Sequence, residues 1–135
     1  MTEKNPLSEY LVISRGQWDE DLSPQEIQNA IDKFYVWYDR LVNEGRMKAG
    51  QRLARQGKIV SKQSVTDGPF AETKEVIGGY WFILARSLEE AVRFAAENPC
   101  LAYGLSNEIR PIERERASRF KVTCETPAIT TLDGE

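Results

Sequence analysis

The chain of 135 residues carries 41% hydrophobic and 29% charged side chains at a formal net charge of −3, proportions of one ordinary globular domain. The negative balance argues against a general nucleic-acid binder, because neutralising phosphates takes a basic surface. No apolar run approaches the roughly 20 residues that cross a bilayer, so a cytoplasmic protein with no membrane partner is expected.

Met1 to Leu7 is polar and has no secretory apolar segment. The first strand falls at Glu9 to Ser14, where Tyr10, Leu11, Val12 and Ile13 run together. A continuous apolar run of this length predicts a strand covered on both faces. Gly16 to Leu22 follows as an acidic loop containing Trp18, either a lid or an exposed residue.

Ser23, Pro24 and Glu26 form a capping box with proline at the first helical position. Ile27, Ile31, Phe34, Tyr38 and Leu41 recur at spacings of four and three, which predicts one apolar stripe and leaves Trp37 on the helix flank. Gly45 supplies a left-handed stop. Met47 to Arg55 and Lys58 to Val65, separated by Gln56-Gly57, read as a strand and its hairpin partner.

Thr66 to Glu75 is polar and turn-rich. Gly78-Gly79 then leads into Tyr80 to Ala85, the most hydrophobic segment of the chain. Tyr80, Phe82 and Leu84 share one face of that strand, and Trp81 and Ile83 share the other. A second capping box, Ser87 with Glu90, opens a helix whose inner face is Leu88, Ala91, Val92, Ala95 and Ala96, ending at Asn98-Pro99.

Glu108 to Ile112 is the last core strand, and Pro111 implies an exposed edge there. Arg114, Arg116, Arg119 and Lys121 are diluted by Glu113 and Glu115 and read as a solvated face. The tail is expected to add a short strand at Phe120 to Cys124.

This order, β-α-β, a hairpin excursion, then β-α-β, predicts an α+β fold. The expected form is a ferredoxin-like β-α-β-β-α-β sandwich, an antiparallel sheet with both helices on one face. Residues 1–135 then make one domain, with a core over about 8–113 and an extension over 114–135. Two helices cover one sheet face only. The apolar second face predicts a homodimer.

Val65 to Glu75, with the run Asp67-Gly68-Pro69-Phe70-Ala71-Glu72-Thr73-Lys74-Glu75 followed by Gly78-Gly79-Tyr80, resembles the signature of the DGPF branch of the YCII-related family. The segments Tyr10 to Ile13, Gly45 to Gly50 and Glu108 to Ile112 are similar as well, so the resemblance spans about Ser8 to Glu113. It implies a dimeric α+β barrel in which two sheets pack face to face, with binding clefts beside the loop. It also implies kinship with isomerases, lyases and dehalogenating enzymes of small aromatic or lactone-like molecules, and with proteins that accompany sigma-factor regulators. The His–Asp pair of the catalytic branch has no counterpart here, since the chain contains no histidine.

That absence also excludes imidazole bases, His-paired nucleophiles and His-containing metal sites. Cys100 and Cys124 are too few and too far apart for a zinc pair and are expected as free thiols. No metal and no cofactor are expected.

Acid/base chemistry would fall to carboxylates, Lys, Tyr or a Cys, with Asp67 and Glu72 foremost as catalytic candidates. Asp67-Gly68-Pro69 is equally a turn in which Asp bonds backbone. On a helical turn Glu72 and Glu75 would share a face, and two close carboxylates can hold one proton between them. Thr73, Lys74 and Glu75 are ligand-binding candidates, with Lys74 either holding an anion or pairing at the surface.

Trp37 and Tyr38, with Trp81 and Tyr103, are either core or the lining of a pocket for a flat ligand. Two functions compete: a small-molecule-binding, non-catalytic or regulatory dimer, and a carboxylate-based isomerase, lyase or dehalogenase acting on a small anionic or aromatic substrate.

Overall fold

The computed structural model describes residues 6–62, 64–67 and 76–126. Its elements run β1 (Ser8–Arg15), α1 (Pro24–Asn43), β2 (Met47–Arg52), β3 (Lys58–Val60), β4 (Val65–Asp67), β5 (Ile77–Ala85), α2 (Leu88–Ala95) and β6 (Ser106–Pro111). The main sheet has the order β2-β5-β1-β6, and each neighbouring pair is antiparallel. The units β1-α1-β2 and β5-α2-β6 are therefore split β-α-β units, each with a strand of the other slotted between its two strands.

Local chemistry sets the helix ends. Ser23 Oγ accepts the Glu26 N–H at 3.1 Å, and Glu26 Oε1 accepts the Ser23 N–H at 2.8 Å, which satisfies two orphan donors of α1. Gly45 follows the C-cap at φ 79°, a left-handed conformation that glycine adopts without strain. At α2, Ser87 Oγ accepts the Glu90 N–H, but Glu90 Oε1 takes the N–H of Arg86, one residue upstream of the expected box partner.

The core lies on the helix side of the sheet. Tyr10 and Val12 of β1 meet Ile83 and Trp81 of β5 in register, with Met47, Leu41, Ala91 and Ala95 packed on them. Val12, Ile83, Ala85 and Ala91 are fully buried. Each large side chain buried in this way contributes about 1.5–3 kcal/mol.

The inner stripe of α1 is Ala30, Phe34, Trp37 and Leu41, turned from the expected stripe of Ile27, Ile31, Phe34, Tyr38 and Leu41. Trp37 is consequently core, only 7% exposed, and does not stand on the flank. Small Ala30 lets the helix sit close to its neighbours. In α2 the same logic favours Ala91 and Ala95, while Leu88 and Val92 remain exposed, contrary to expectation.

The expected hairpin is also re-paired. β2 joins β5 in the main sheet, and β3 pairs with β4 in a separate two-stranded ribbon. At the end of that ribbon the Ser61 N–H donates to the Ser64 carbonyl at 2.8 Å, so Gln56-Gly57, which precedes β3, does not join its two strands. Among the described residues the tail forms no strand at Phe120 to Cys124; Lys121 pairs with Glu115, and Cys124 Sγ lies 3.6 Å from Arg110 Nη2. β6 does take the edge position that Pro111 requires.

The β2–β5 register shifts between Lys48 and Gln51. There a Cβ on Gly50 would stand 2.0 Å from the Tyr80 carbonyl oxygen, and one on Gly79 2.7 Å from the Gln51 carbonyl oxygen. Gly50→Ala is expected to destabilise the protein by about 2 kcal/mol or more through backbone overpacking. Gly78→Ala, whose Cβ enters open space, should stay within about 0.5 kcal/mol. Urea unfolding of the two variants measures the contrast, and equal stabilities would contradict the close strand crossing.

Candidate functional site

The row of β-residues that closes the core on the helix side is Trp81 beside Val12, with Ile109 beyond. The next row toward the strand end is Arg52, Gly79, Ser14 and Asn107. Gly79 has no side chain and Ser14 only a short one, so this row cannot fill the space beneath α1. The result is a cleft of about 780 Å³, within the size range of small-molecule sites.

Ile31, Phe34, Tyr35 and Tyr38 of α1 form one wall; Ala49 to Arg52 and Gly78 to Trp81 form the floor and the opposite side. Gln17 and Trp18 of the loop after β1 stand at the rim. Trp18 thus belongs to the cleft. Its loop is tied down: Asp19 N–H donates to the Tyr103 carbonyl at 2.9 Å, and Gly16 N–H to the Val76 carbonyl at 3.0 Å.

The rings form one seam. Phe34 stacks on Tyr38 with centroids 5.3 Å apart and planes at 22°, and both meet Trp81, at 5.3 and 5.8 Å. Tyr35 adds an edge contact to Phe34 at 5.2 Å. Such offset and edge geometries suit the aromatic quadrupole, so the wall is ordered by its own contacts and presents ring surface to the opening.

The polar groups are few and specific. Tyr38 Oη accepts the Gly50 N–H at 3.2 Å, which leaves its hydroxyl proton available to donate. Burial raises the Tyr38 pKa against the opposing effect of that backbone bond, so the phenol is neutral at physiological pH. Arg52 is the only charged side chain that lines the cleft among the described residues, and none of their carboxylates pairs with it. Trp81 is 8% exposed, and its buried Nε1 has no hydrogen-bond partner.

Deeper in, the Asn98 Oδ1 accepts the Cys100 N–H at 2.8 Å, and Cys100 Sγ lies 3.8 Å from the Ala30 carbonyl. Burial pushes the Cys100 thiol up to about 11. It is a packed thiol, not an activated nucleophile.

Of the residues singled out from the sequence, Tyr38 lines the cleft and Trp37 does not, being packed between α1 and the sheet. Asp67 ends β4 opposite Lys58, and its side chain is outside the described part of the molecule. Glu72, Thr73, Lys74 and Glu75 lie outside the described residues. Arg52, Phe34 and Tyr35 were not legible as site residues. Their signal is tertiary, because the glycines at 50 and 79 that open the floor act across strands far apart in sequence.

The sequence profile of the YCII-related domain matches residues 9–115. An uncharacterised protein of Rhizobium meliloti (strain 1021) is 32% identical over 105 residues, which cover 75% of this chain and 82% of that protein. Among solved structures, the 5-chloro-2-hydroxyhydroquinone dehydrochlorinase of Burkholderia phenoliruptrix AC1100, complexed with 2,5-dihydroxybenzoquinone, aligns over 79% of this chain and 95% of its own. Its TM-score is 0.45 at 14% identity. The hydroxynitrile lyase of Passiflora edulis aligns over 83% and 100%, with a TM-score of 0.38 at 15% identity. At these values neither enzyme's chemistry transfers to this chain.

The two thiols are expected to separate by burial. Cys124 is exposed and Cys100 buried, so a disulfide reagent at pH 8 should modify one thiol promptly in the folded protein and the second only after denaturation. A fast reaction at both sites would show that the cleft floor opens.

Proposed function

The chain belongs to the YCII-related domain family, and from that membership and its cleft we propose that it is a small-molecule-binding domain that works as a homodimer. The observation that carries the reading is the cleft of about 780 Å³ walled by Phe34, Tyr35, Tyr38 and Trp81. Its ring surfaces suit a flat, compact ligand, and its few polar groups would orient that ligand. Binding is favoured over catalysis because the titratable groups of the described lining, beside Arg52, are the phenols of Tyr35, Tyr38 and Tyr80, with burial raising the Tyr38 pKa, and a thiol of raised pKa.

The run Asp67 to Glu75 supports placing the chain in the DGPF branch. A catalytic or ligand-binding role for Asp67, Glu72, Thr73, Lys74 and Glu75 belongs to the same proposal. In an isomerase, lyase or dehalogenase they would supply the acid and base that the described lining lacks.

The dimer rests on the second sheet face. Both helices pack on the side of Trp81 and Ile83, while Leu11, Ile13, Tyr80, Phe82 and Leu84 stand half-buried on the other. Leu11 lies opposite Phe82, and Ile13 opposite Tyr80. A contiguous apolar patch of this kind is stabilised by a partner, and an isologous pairing closes on itself.

Two measurements test these readings. Calorimetry with 1-naphthylmethanol, a neutral flat probe, should show binding that Ala49→Trp abolishes by filling the cleft from an exposed strand position while leaving the melting temperature unchanged. Binding unaffected by Ala49→Trp would place the ligand elsewhere. Light scattering at micromolar concentration should give twice the chain mass, and Phe82→Glu should give a folded monomer. A wild-type monomer would overturn the dimer. For the loop, Glu72→Gln is expected to keep the melting temperature and weaken ligand binding about tenfold, or ~1.4 kcal/mol.

A further inference from the structure

The charge of the cleft is one-sided, although the neutral side chains of Ser14, Gln17, Gln51 and Asn98 also line it and can both donate and accept. Arg52 carries a fixed positive charge at neutral pH, stands on the helix side of β2 beside Gly79, and has no carboxylate partner among the described residues. Tyr38 has its oxygen occupied by the Gly50 N–H and therefore offers a proton. The Trp81 N–H has no acceptor either, but it is sealed off from the open cleft and contributes ring surface there, not a donor. No Asp or Glu lines the cleft among the described residues; Asp19 and Glu20 border a smaller depression that shares Gly16, Gln17 and Trp18 with it.

The Arg52 guanidinium and the Tyr38 hydroxyl can donate to a ligand oxygen in place of water, and the bond to the charged group is the stronger of the two. Arg52 is exposed to solvent along the cleft lining, and its guanidinium selects a carboxylate or another planar oxyanion, which it meets with two parallel N–H bonds. The stacked rings of Phe34 and Tyr38, with Trp81 at their edge, select a flat body. We propose that the ligand of this cleft is an aromatic acid or aromatic oxyanion, its ring against the Phe34–Tyr38–Trp81 seam and its negative group on Arg52 and the Tyr38 hydroxyl. This rests on the binding reading above and deepens it by fixing the ligand's charge.

A chain of net charge −3 repels anions in general, so selectivity for an anion must come from the local groups named here.

The test compares two probes of one shape, 1-naphthoate and 1-naphthylmethanol, by calorimetry on the wild type, Arg52→Gln, Arg52→Lys, Tyr38→Phe and Ala49→Trp. The wild type should bind the carboxylate about tenfold more tightly than the alcohol, the loss typical of one charge-assisted hydrogen bond. Arg52→Gln should erase the difference and leave alcohol affinity unchanged, and Arg52→Lys should restore part of it, since an ammonium keeps the charge without the planar fork. Tyr38→Phe should weaken the carboxylate more than the alcohol.

Equal binding of the two probes to the wild type, both blocked by Ala49→Trp, would overturn the anion inference and leave the binding reading standing. Selectivity that survives in Arg52→Gln would overturn the assignment of Arg52. Failure of both probes to bind at millimolar concentration would overturn the inference together with the reading beneath it.

Discussion

The close passage of β2 over β5 is the constraint from which the site follows. At Gly50 the strands are so near that a single carbon would stand 2.0 Å from the Tyr80 carbonyl oxygen, and at Gly79 the Gln51 carbonyl imposes the same demand. Glycine is required at both positions for steric reasons alone. Its lack of a side chain then empties the row beside Trp81, and the register shift in β2 brings Arg52 opposite Gly79. The Gly50 N–H, turned out of the regular ladder, finds the Tyr38 hydroxyl on α1. One backbone irregularity thus opens the cleft, places its cation and fixes one ring of its wall.

The aromatic seam shows how core and cleft compete for the same residues. Phe34 touches Trp37 in the core at 5.8 Å and Tyr38 in the cleft at 5.3 Å. It therefore transmits packing order from one to the other. A fully buried wall would offer no surface to a ligand, and a fully exposed one would collapse. Phe34 and Tyr38, half-buried and held by each other, avoid both outcomes. Large rings also bring area to a ligand at small entropic cost, because they have few rotatable bonds to freeze.

What the sequence makes legible here is local or periodic. The Ser23-Pro24-Glu26 start and the Gly45 stop of α1 depend on atoms within one turn, and the structure has them where the residues imply. The face of α1 is less legible, because a stripe of large residues through Ile31 and Tyr38 competes with one through Ala30 and Trp37. The pairing of β2 depends on β5, about thirty residues away, and the neighbouring segment Lys58 to Val60 has an equally good strand pattern. Only the sheet as a whole decides between them. Arg52 was illegible for the same reason: nothing near it in sequence marks it, and its role comes from Gly79 across the strand. The polar loop drew attention because its residues are contiguous, whereas the described site is assembled from five separate segments.

Strand β5 also ties the two proposals to each other. Its alternation points Trp81 and Gly79 toward the cleft and Tyr80 and Phe82 toward the face proposed for the second copy. The backbone of Tyr80 is the atom set against which Gly50 packs, so the dimer face and the cleft floor share a single layer of main chain. Association that rigidified Tyr80 would stiffen the cleft floor, and a ligand that ordered the Gly50–Tyr38 contact would stiffen the face. Such coupling requires both events to favour the same strand conformation. The alternation keeps the side chains themselves separate, which is why a substitution at Phe82 can address association while one at Ala49 addresses the ligand, and why any influence of one on the other must travel through the backbone at Gly79 and Tyr80.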